Sequence, residues 1–413
     1  MVVLFVLTIA YVSLCLLHWL WSVVGVVRVG WSVERLGALC TPDPPRWPRL
    51  SVIVPACNEA DKITPALRTL IEQDYPDLEL IVVDDRSTDC TGEIIDRLAS
   101  ESRRVRAIHV TTLPEGWLGK VHALHCGLAE STGEFVMFTD ADVHFRADAL
   151  RKSIAYCLDR GLDYLAALPD IWPGNVVCDT MVAMFLRSFI LFLVRPWAVS
   201  NPRSKAFVGI GAFNLVRREV FETTEGFEWL RLEIGDDMGV GFLMKRSGAR
   251  CGVAAGFDLV GLHWHRTIAE AARGAEKGWA PVCRFSVLRG AALATGSLLV
   301  EMSPLLAVLP LIFAPIRLAG YLGLGVVGAW LATVLLLVRW VGPTALRGLL
   351  GPLVAPLMSL LILRTALLGR RRGGVLWRGT LYPSETLRAG MRLRLSLRHP
   401  PDPRHEHFRQ PVL

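Results

Sequence analysis

The sequence predicts an α/β protein in which a mostly parallel sheet, with helices on both faces, is attached to transmembrane helices at both ends. Strand and helix patterns alternate through residues 49–138, which is typical of parallel strands joined by covering helices. Long apolar stretches lie before and after that region, and 52% of the 413 residues are hydrophobic. A sheet domain and a membrane part are therefore expected in one chain.

The elements of the sheet domain follow one another in a regular order. "LSVIVP" (50–55) is an apolar run of the buried-strand type, and "EADKITPALRTLIEQ" (59–73) has the pattern of a helix. "LELIVVDD" (78–85) and "GEFVMFTDAD" (133–142) are predicted strands, with "TGEIIDRLASES" (91–102) as a helix between them. Parallel sheets of this kind bind ligands beyond the carboxyl ends of their strands, where this chain carries polar clusters.

The apolar stretches predict a protein that crosses the membrane several times. Residues 2–27 carry no formal charge and are followed by Arg28 and Arg35, which places the next segment in the cytoplasm. Apolar stretches recur at about 290–313, 319–338 and 347–368. The predicted organisation is an anchor (1–27), a proline-rich linker (28–48), the sheet domain (49–285), transmembrane or re-entrant helices (286–369) and a basic cytoplasmic tail (370–413).

Two further expectations concern the membrane part. An even number of crossings after the anchor would keep the arginines at 370–372 in the cytoplasm, so we expect Trp377, Arg378 and Tyr382 to lie there, near the sheet domain. Of the later apolar stretches, the proline-containing one at 290–313 is the least expected to span the membrane and could form a surface helix or a re-entrant segment. The short run 181–194, with Arg187 near its centre, is expected to lie at the membrane surface without spanning.

Charge and cysteine content exclude several classes of protein. The net charge of +7 is concentrated as arginine in the C-terminal tail, which is typical of a cytoplasmic flank. No aromatic and basic platform accompanies it, so nucleic-acid binding is not expected, and no feature indicates a protein partner. The nine cysteines form no C-x-x-C pair, which argues against a zinc site or a disulfide framework.

The segment "FTDADVHF" (138–145) carries the first sign of chemistry. Asp140 and Asp142 are two residues apart at the end of a strand, so both carboxylates leave the same face and favour a cation between them. "DADV" also matches the motif of phosphatases with an aspartyl nucleophile, but those enzymes carry it on their first strand. The first strand is followed by "PACNEAD" and not by G-x-G-x-x-G, and no G-x-x-x-x-G-K-[ST] occurs, so neither a dinucleotide-binding domain nor a glycine-rich phosphate loop is expected.

Six motifs in a fixed order carry a family resemblance. They are "SVIVPACNEAD", "IVVDDRSTDCTGEI", "GWLGKVHAL", "FVMFTDADVHF", "GIGAFNLVRREVFE" and "EIGDDMGVGFLMKRSG". Over residues 49–265 the chain resembles the family-2 glycosyltransferases, whose catalytic domain has the GT-A fold, a Rossmann-like sheet with helices on both faces. It looks most similar to the hopanoid-associated, carotenoid-glucosylating and ceramide-glucosylating members, and "GVLWRGTLYP" (374–383) is similar to a tail motif of the first two.

The resemblance implies roles for particular side chains. Asp140 and Asp142 would bind Mg²⁺ or Mn²⁺, which bridges the diphosphate of a nucleotide-sugar donor, foremost a UDP-sugar. The residues implied on the nucleotide side are Pro55, Asn58, Glu59, Asp84, Asp85, Lys120 and Asp140. Attack by an acceptor hydroxyl needs a base, which we assign to Asp237 with Asp236 as its neighbour. The family usually shows Glu-Asp here, so Asp-Asp leaves the choice between the two open.

These features predict a metal-dependent, inverting glycosyltransferase in the inner membrane that acts on a lipid acceptor and has its catalytic domain in the cytoplasm. The Q-x-x-R-W signature of processive polysaccharide synthases is missing near "HWHRTIAEAARGAEKGW" (263–279). Alternatives are a polyprenyl-phosphate sugar synthase, a short-chain polysaccharide synthase and a degenerate nucleotide-sugar-binding scaffold. His263 and His265 are expected to be packing or surface residues.

Overall fold

The computed structural model describes residues 2–313 and 316–393, so the predicted basic tail lies outside the described residues from position 394 onward. Thirteen strands occur in the described part. In chain order they are β1 (Glu34–Arg35), β2 (Leu50–Ala56), β3 (Leu78–Asp85), β4 (Val105–Val110), β5 (Phe135–Phe138), β6 (His144–Phe145), β7 (Tyr164–Leu168), β8 (Asp170–Ile171), β9 (Asn214–Arg217), β10 (Cys251–Ala255), β11 (Val260–Leu262), β12 (Gly374–Trp377) and β13 (Thr380–Pro383).

The α-helices alternate with these strands and continue beyond them. They are α1 (Val2–Ser32), α2 (Ile63–Ile71), α3 (Thr91–Glu101), α4 (Gly119–Ala129), α5 (Ala149–Asp159), α6 (Val176–Ser188), α7 (Arg218–Phe221), α8 (Gly226–Leu230), α9 (Asp236–Arg246), α10 (Ile268–Val282), α11 (Val287–Glu301), α12 (Ser303–Leu306), α13 (Arg317–Val341), α14 (Gly351–Arg372) and α15 (Ser384–Gly390). Short 3₁₀ and π turns connect several of them.

Eight strands form one mostly parallel sheet in the spatial order β1-β10-β7-β9-β5-β2-β3-β4. β2 lies between β3 and β5 and is parallel to both, with Leu50 opposite Leu78 and Phe135. β9 is the exception, because it is antiparallel to both of its neighbours, β5 and β7. The carboxyl ends of β2, β3 and β5 therefore meet at one edge of the sheet, as the alternating pattern predicted.

The sheet is buried on both faces, which explains the near-continuous apolar runs of its strands. Successive residues of β2 enter opposite cores: Ile53 packs in one, and Val52 and Val54 pack in the other. The covering helices are amphipathic. In α2 the buried residues Ile63, Ala66, Leu67 and Leu70 recur at helical spacing, so one stripe faces the sheet.

The apolar helices pack around each other at the ends of the chain. α1 meets α13 through a cluster that contains Val12, Trp19 and Val326, and α14 lies against α10 and α11. In the part of the chain that the structure describes, four helices are long and apolar enough to cross a membrane, namely α1, α13, the helical segment Val176–Ala198 and Pro343–Arg372. The pair α10 and α11, bent by 110°, would make a fifth if it were one broken span. The stretch 290–313 is accordingly not one continuous helix but α11, α12 and a 3₁₀ turn.

The run around Arg187 differs from the expectation. The helix is not short, because α6 continues as a π turn and a 3₁₀ turn to Ala198, which makes 23 residues. Arg187 is not a surface charge either: its side chain is 6% exposed and pairs with Glu301 of α11. Arg187 also approaches His18 Nε2 at 3.1 Å and lies 4.5 Å from the ring of Trp19, both on α1. The length and the central charge therefore no longer argue against a span.

The boundaries of the segments that flank the sheet domain differ from the predicted ones. α1 continues to Ser32, and β1, within the predicted linker, pairs with β10 at the edge of the main sheet. At the other end, the β12–β13 hairpin contacts Cys57 and Gly119 of the sheet domain. This confirms that Trp377, Arg378 and Tyr382 lie near that domain.

Candidate active site

Two aspartates of one strand end occupy different electrostatic surroundings. Asp140 Oδ1 lies 2.6 Å from Lys120 Nζ. Burial alone would raise the pKa of Asp140, but the positive charge of Lys120 outweighs burial, so the pKa of Asp140 is lowered. Among the described residues, the one basic side chain within salt-bridge distance of Asp142 is Lys62, with Nζ 4.0 Å from Oδ2. Burial, Asp140 and Glu59 together raise the pKa of Asp142 to about 6. This edge of the site therefore holds more negative charge than the protein neutralises.

Lys120 lies between Asp140, one of the two aspartates predicted to bind a metal, and the acidic pair Asp236 and Asp237 at the start of α9. Its Nζ lies 2.6 Å from Asp140 Oδ1 and 3.1 Å from Asp236 Oδ2. Burial would lower the pKa of Lys120, but Asp140, Asp236 and Asp237 outweigh it and raise that pKa. Asp236 is also 3.9 Å from Lys277 Nζ and is only 3% exposed. Asp236 is therefore a buried counter-ion of two lysines.

Asp237 is arranged differently, although it is the next residue. Its Oδ2 accepts a hydrogen bond from the Gly211 amide at 3.0 Å, and no lysine pairs with it within salt-bridge distance in the described residues. Burial and the neighbouring Asp236 raise the pKa of Asp237. A carboxylate with a raised pKa and a fixed orientation is suited to accept a proton.

The loop before β9 passes between the two carboxylates. A Cβ at Gly211 would lie 2.8 Å from Asp140 Oδ2 and 3.7 Å from Asp237 Oδ2, so a side chain would displace the first of them. A Cβ at Gly209 would lie 1.7 Å from the carbonyl oxygen of Asp237. The glycines thus let the loop backbone pack directly on the start of α9. Lys120, Asp140, Gly211, Asp236 and Asp237 line one small pocket there, with Leu124, Phe138, Thr139, Asn214 and Val240.

The nucleotide-side residues fall into two groups. Asp85 and Glu59 form the first group, in which each carboxylate is paired with an arginine. Buried Asp85 accepts a hydrogen bond from Arg86 Nε at 2.8 Å, and Glu59 forms a salt bridge with Arg378 of the β12–β13 hairpin. Both carboxylates thus carry an arginine at the edge of the site. Pro55, Asn58 and Asp84 form the second group, whose contacts are all within the protein. Pro55 is buried inside β2, and Asn58 Oδ1 accepts a hydrogen bond from the Thr88 amide at 2.8 Å. Asp84 accepts a hydrogen bond from the Ser87 amide and contacts the ring of His109.

Within the described residues, the histidines and cysteines form no further site. His263 packs edge-on against Trp172, with 5.4 Å between ring centroids, and the ring of His265 fills the space beside Gly274. Within residues 2–313 and 316–393, no three His, Cys, Asp or Glu side chains gather as a metal site would require. A metal at Asp140 and Asp142 would therefore need ligands from its substrate or from water. All nine cysteines are free thiols, as their spacing predicted.

Comparison with known proteins connects this geometry to a family. The family described as "Glycosyl transferase family 2" matches residues 51–248. This stretch, a little under half of the chain, is thus similar to the family-2 glycosyltransferases. Among curated relatives, the "Probable glycosyltransferase YdaM" of Bacillus subtilis is 31% identical over 148 residues, which are 34% of this chain and 33% of that protein.

Other relatives agree on the domain and on the fold. The "GalNAc(5)-diNAcBac-PP-undecaprenol beta-1,3-glucosyltransferase" of Campylobacter jejuni is 35% identical over 103 residues, 25% of this chain and 32% of that protein. The alignment with each of these two relatives thus spans about a third of the relative's length. The mannosyltransferase PcManGT of Pyrobaculum calidifontis, solved with GDP-Man and Mn²⁺, has a TM-score of 0.51 at 22% identity and covers 89% of this chain and 97% of its own. This likeness confirms the predicted GT-A fold.

The candidate site also contains residues that the motif assignments did not include. Arg86 directly follows the motif residue Asp85, so its position was available as a signal in the sequence. Lys277 and Arg378 come from α10 and from the hairpin, and they reach Asp236 and Glu59 respectively. The signal for Lys277 was the basic character of its segment, whereas Arg378 lies in the tail motif "GVLWRGTLYP" and was expected near the sheet domain.

Proposed function

We propose that this protein is a metal-dependent glycosyltransferase that moves a sugar from a nucleotide-sugar donor to a membrane lipid, with inversion at the anomeric carbon. The observation that carries the proposal is the meeting of Asp140, Lys120 and Asp237 in one pocket of a family-2 domain. The pocket brings together Asp140, one of the two carboxylates suited to a metal, with a lysine and a proton acceptor that has a raised pKa.

Asp140 and Asp142 are the residues that would hold the metal. Burial and the negative charges of Asp140 and Glu59 raise the pKa of Asp142 to about 6, and a divalent cation would neutralise those charges. Carboxylate oxygens suit Mg²⁺ and Mn²⁺, and Mg²⁺ sites commonly combine one or two carboxylates with substrate phosphates. The donor set therefore fits. When bound, the metal would supply a Lewis acid for the departing diphosphate.

The proposed transfer is a direct displacement. Asp237 takes the proton of the acceptor hydroxyl, and the hydroxyl oxygen forms a bond to the anomeric carbon of the donor sugar. The bond between that carbon and the diphosphate oxygen breaks, and its electron pair stays on the nucleoside diphosphate. Lys120 is placed beside Asp140 to stabilise that negative charge.

The apolar helices support a lipid acceptor and a membrane location. Val26, Val29 and Val33, at the end of α1 and just beyond it, belong to the same core as the residues beneath the active-site pocket. The sheet domain is therefore packed directly on candidate membrane spans, within reach of lipid headgroups. A relative whose name describes an undecaprenol-linked acceptor agrees with this class of substrate. The nucleotide-sugar donor implies that this face of the inner membrane is the cytoplasmic one.

The test is transfer to extracted lipid. Membranes that contain the full chain are incubated with radiolabelled UDP-glucose, UDP-N-acetylglucosamine or GDP-mannose and MnCl₂, and the lipids are extracted. We expect label in the lipid fraction, with loss on chelation, recovery on added Mn²⁺ and loss in Asp142→Asn. Asp159→Asn, at the exposed end of α5, is the matched control and should retain activity. Label only in polymer, no label at all, or full activity with excess chelator would contradict the proposal.

A further inference from the structure

The chain returns to its donor side after the last apolar helix. α14 ends at Arg372, and the β12–β13 hairpin follows at once. Its two-residue turn consists of Arg378 and Gly379, with φ values of 50° and 79°. Both central residues thus have positive φ, as in a type I′ turn. The first position carries an arginine in a conformation that glycine or asparagine adopts more readily, which indicates a use for the side chain.

The hairpin contacts the ends of β2 and of the loop before α4. Arg378 Nη1 donates to the Cys57 carbonyl oxygen at 2.5 Å, and Nη2 pairs with Glu59. The Gly119 amide donates to the Tyr382 hydroxyl at 3.3 Å, immediately before Lys120. Lys277 Nζ lies 4.1 Å from the ring centre of Trp377. One short hairpin therefore touches three parts of the site.

We propose that Arg378 is a donor-binding residue whose guanidinium holds the β-phosphate of the nucleotide sugar and of the departing nucleoside diphosphate. This inference rests on the proposed function, because it requires a diphosphate donor. It assigns part of the donor site to a segment that follows the family-2 domain by more than a hundred residues and comes after the apolar helices in the chain.

The guanidinium has donors left for a phosphate. Arginine carries five N–H donors, and the contacts to Cys57 and Glu59 use one on Nη1 and one on Nη2, which leaves three. The side chain is 46% exposed, so these donors are accessible. The planar guanidinium fork matches phosphate oxygens better than a lysine ammonium does.

The contacts of Arg378 place it on the same edge of the sheet as Asp140. Cys57, whose carbonyl oxygen accepts from Arg378, follows β2, and β2 pairs with β5, the strand that leads to Asp140. A diphosphate held at Asp140 would thus be close enough to Arg378 to interact with it. Glu59 then acts as the positioning residue that keeps the guanidinium at the edge of the site.

The position of the hairpin is secured by the membrane part. Arg364 and Arg372 of α14 both pair with Glu276 of α10, at 2.9 and 2.8 Å, and Glu276 precedes Lys277. The last apolar helix is thereby attached to the helix that brings Lys277 to Asp236. Arg378 follows α14 by six residues, so its location depends on this packing.

The experiment compares nucleoside diphosphates with monophosphates. Binding of UDP, UMP, GDP and GMP to the full chain in detergent with MnCl₂ is measured by calorimetry for the wild type, Arg378→Gln and Arg378→Lys. Arg388→Gln, in α15 of the same C-terminal region, is the matched control. For the diphosphate that binds, Arg378→Gln should weaken affinity about 10- to 100-fold, and Arg378→Lys less, because one charge-assisted contact is lost. Affinity for the matching monophosphate should change less than threefold, since it has no β-phosphate.

The outcomes separate the two proposals. If the wild type binds neither diphosphate, the proposed function fails, and this inference fails with it. If the wild type binds one and Arg378→Gln binds it equally well, only the role of Arg378 is refuted. An equal loss of diphosphate and monophosphate affinity would make Arg378 a structural support of the hairpin and would also overturn the inference. Unchanged monophosphate binding by the variant shows that it is folded.

Discussion

Exchanging each aspartate of the α9 pair for asparagine should separate a structural charge from a catalytic one. Asp236 is 3% exposed and lies 3.1 Å from Lys120 Nζ and 3.9 Å from Lys277 Nζ. Asp236→Asn removes one negative charge that neutralises the positive charges of these two buried lysines. Removing one partner of a buried pair costs about 3–5 kcal/mol, and the lower end applies here because Lys120 keeps Asp140. The unfolding temperature should fall by on the order of 10 °C.

Asp237→Asn should have the opposite profile. The asparagine oxygen can still accept from the Gly211 amide, so the loop contact survives. Because burial and Asp236 raise the pKa of Asp237, its charge is unfavourable in the folded protein above that pKa. Neutralising it should leave stability unchanged or higher at pH 7–8. Transfer, however, should fall about 10²- to 10⁴-fold, because the proton acceptor is lost.

The assay measures unfolding by tryptophan fluorescence in detergent, together with transfer at saturating donor and diphosphate binding. We expect Asp237→Asn to bind the diphosphate with wild-type affinity and to unfold at or above the wild-type temperature. Retention of more than a tenth of the wild-type rate by Asp237→Asn would refute the assignment. If Asp236→Asn unfolded normally but lost transfer, Asp236 would have to be the base.

Three further predictions follow from the structure. The acid limb of kcat against pH should lie above the ordinary aspartate value of 3.8, because the raised pKa of Asp237 keeps the base protonated to higher pH; a limb at or below that value contradicts the assignment. Gly211→Ala should reduce kcat by tenfold or more by displacing Asp140, whereas Gly278→Ala, with no atom within 4 Å of the added Cβ, should not; equal rates would show that the loop adapts. Glu301→Gln should cost about 3–5 kcal/mol of stability, and a paired Arg187→Leu and Glu301→Leu variant should recover most of it in thermal unfolding; no recovery would contradict this and would mean that the ion pair itself contributes stability that apolar contacts do not replace.

The amino-acid sequence by itself determined the class of fold and the edge of the sheet at which the site lies. Buried strands and amphipathic helices are local patterns, so β2, β3 and β5 and their parallel order were readable from periodicity. The aspartates at 140 and 142 were visible as a local motif, but the predicted strand through 142 was too long: β5 ends at Phe138, and both aspartates lie in the turn beyond it, so the two-residue repeat of a strand does not set their common face. Family motifs then identified the acidic pair at 236 and 237.

Only the tertiary structure decided which distant charges meet. Lys120 lies between Asp140 and Asp236, which makes Asp236 a counter-ion and separates it from Asp237. Arg187 is buried against Glu301, although its sequence position suggested a surface helix. The hairpin arginine reaches Glu59 across 319 positions of chain. Propensity and periodicity act over a few residues, whereas these pairings depend on how whole helices and strands pack, so no local pattern encodes them.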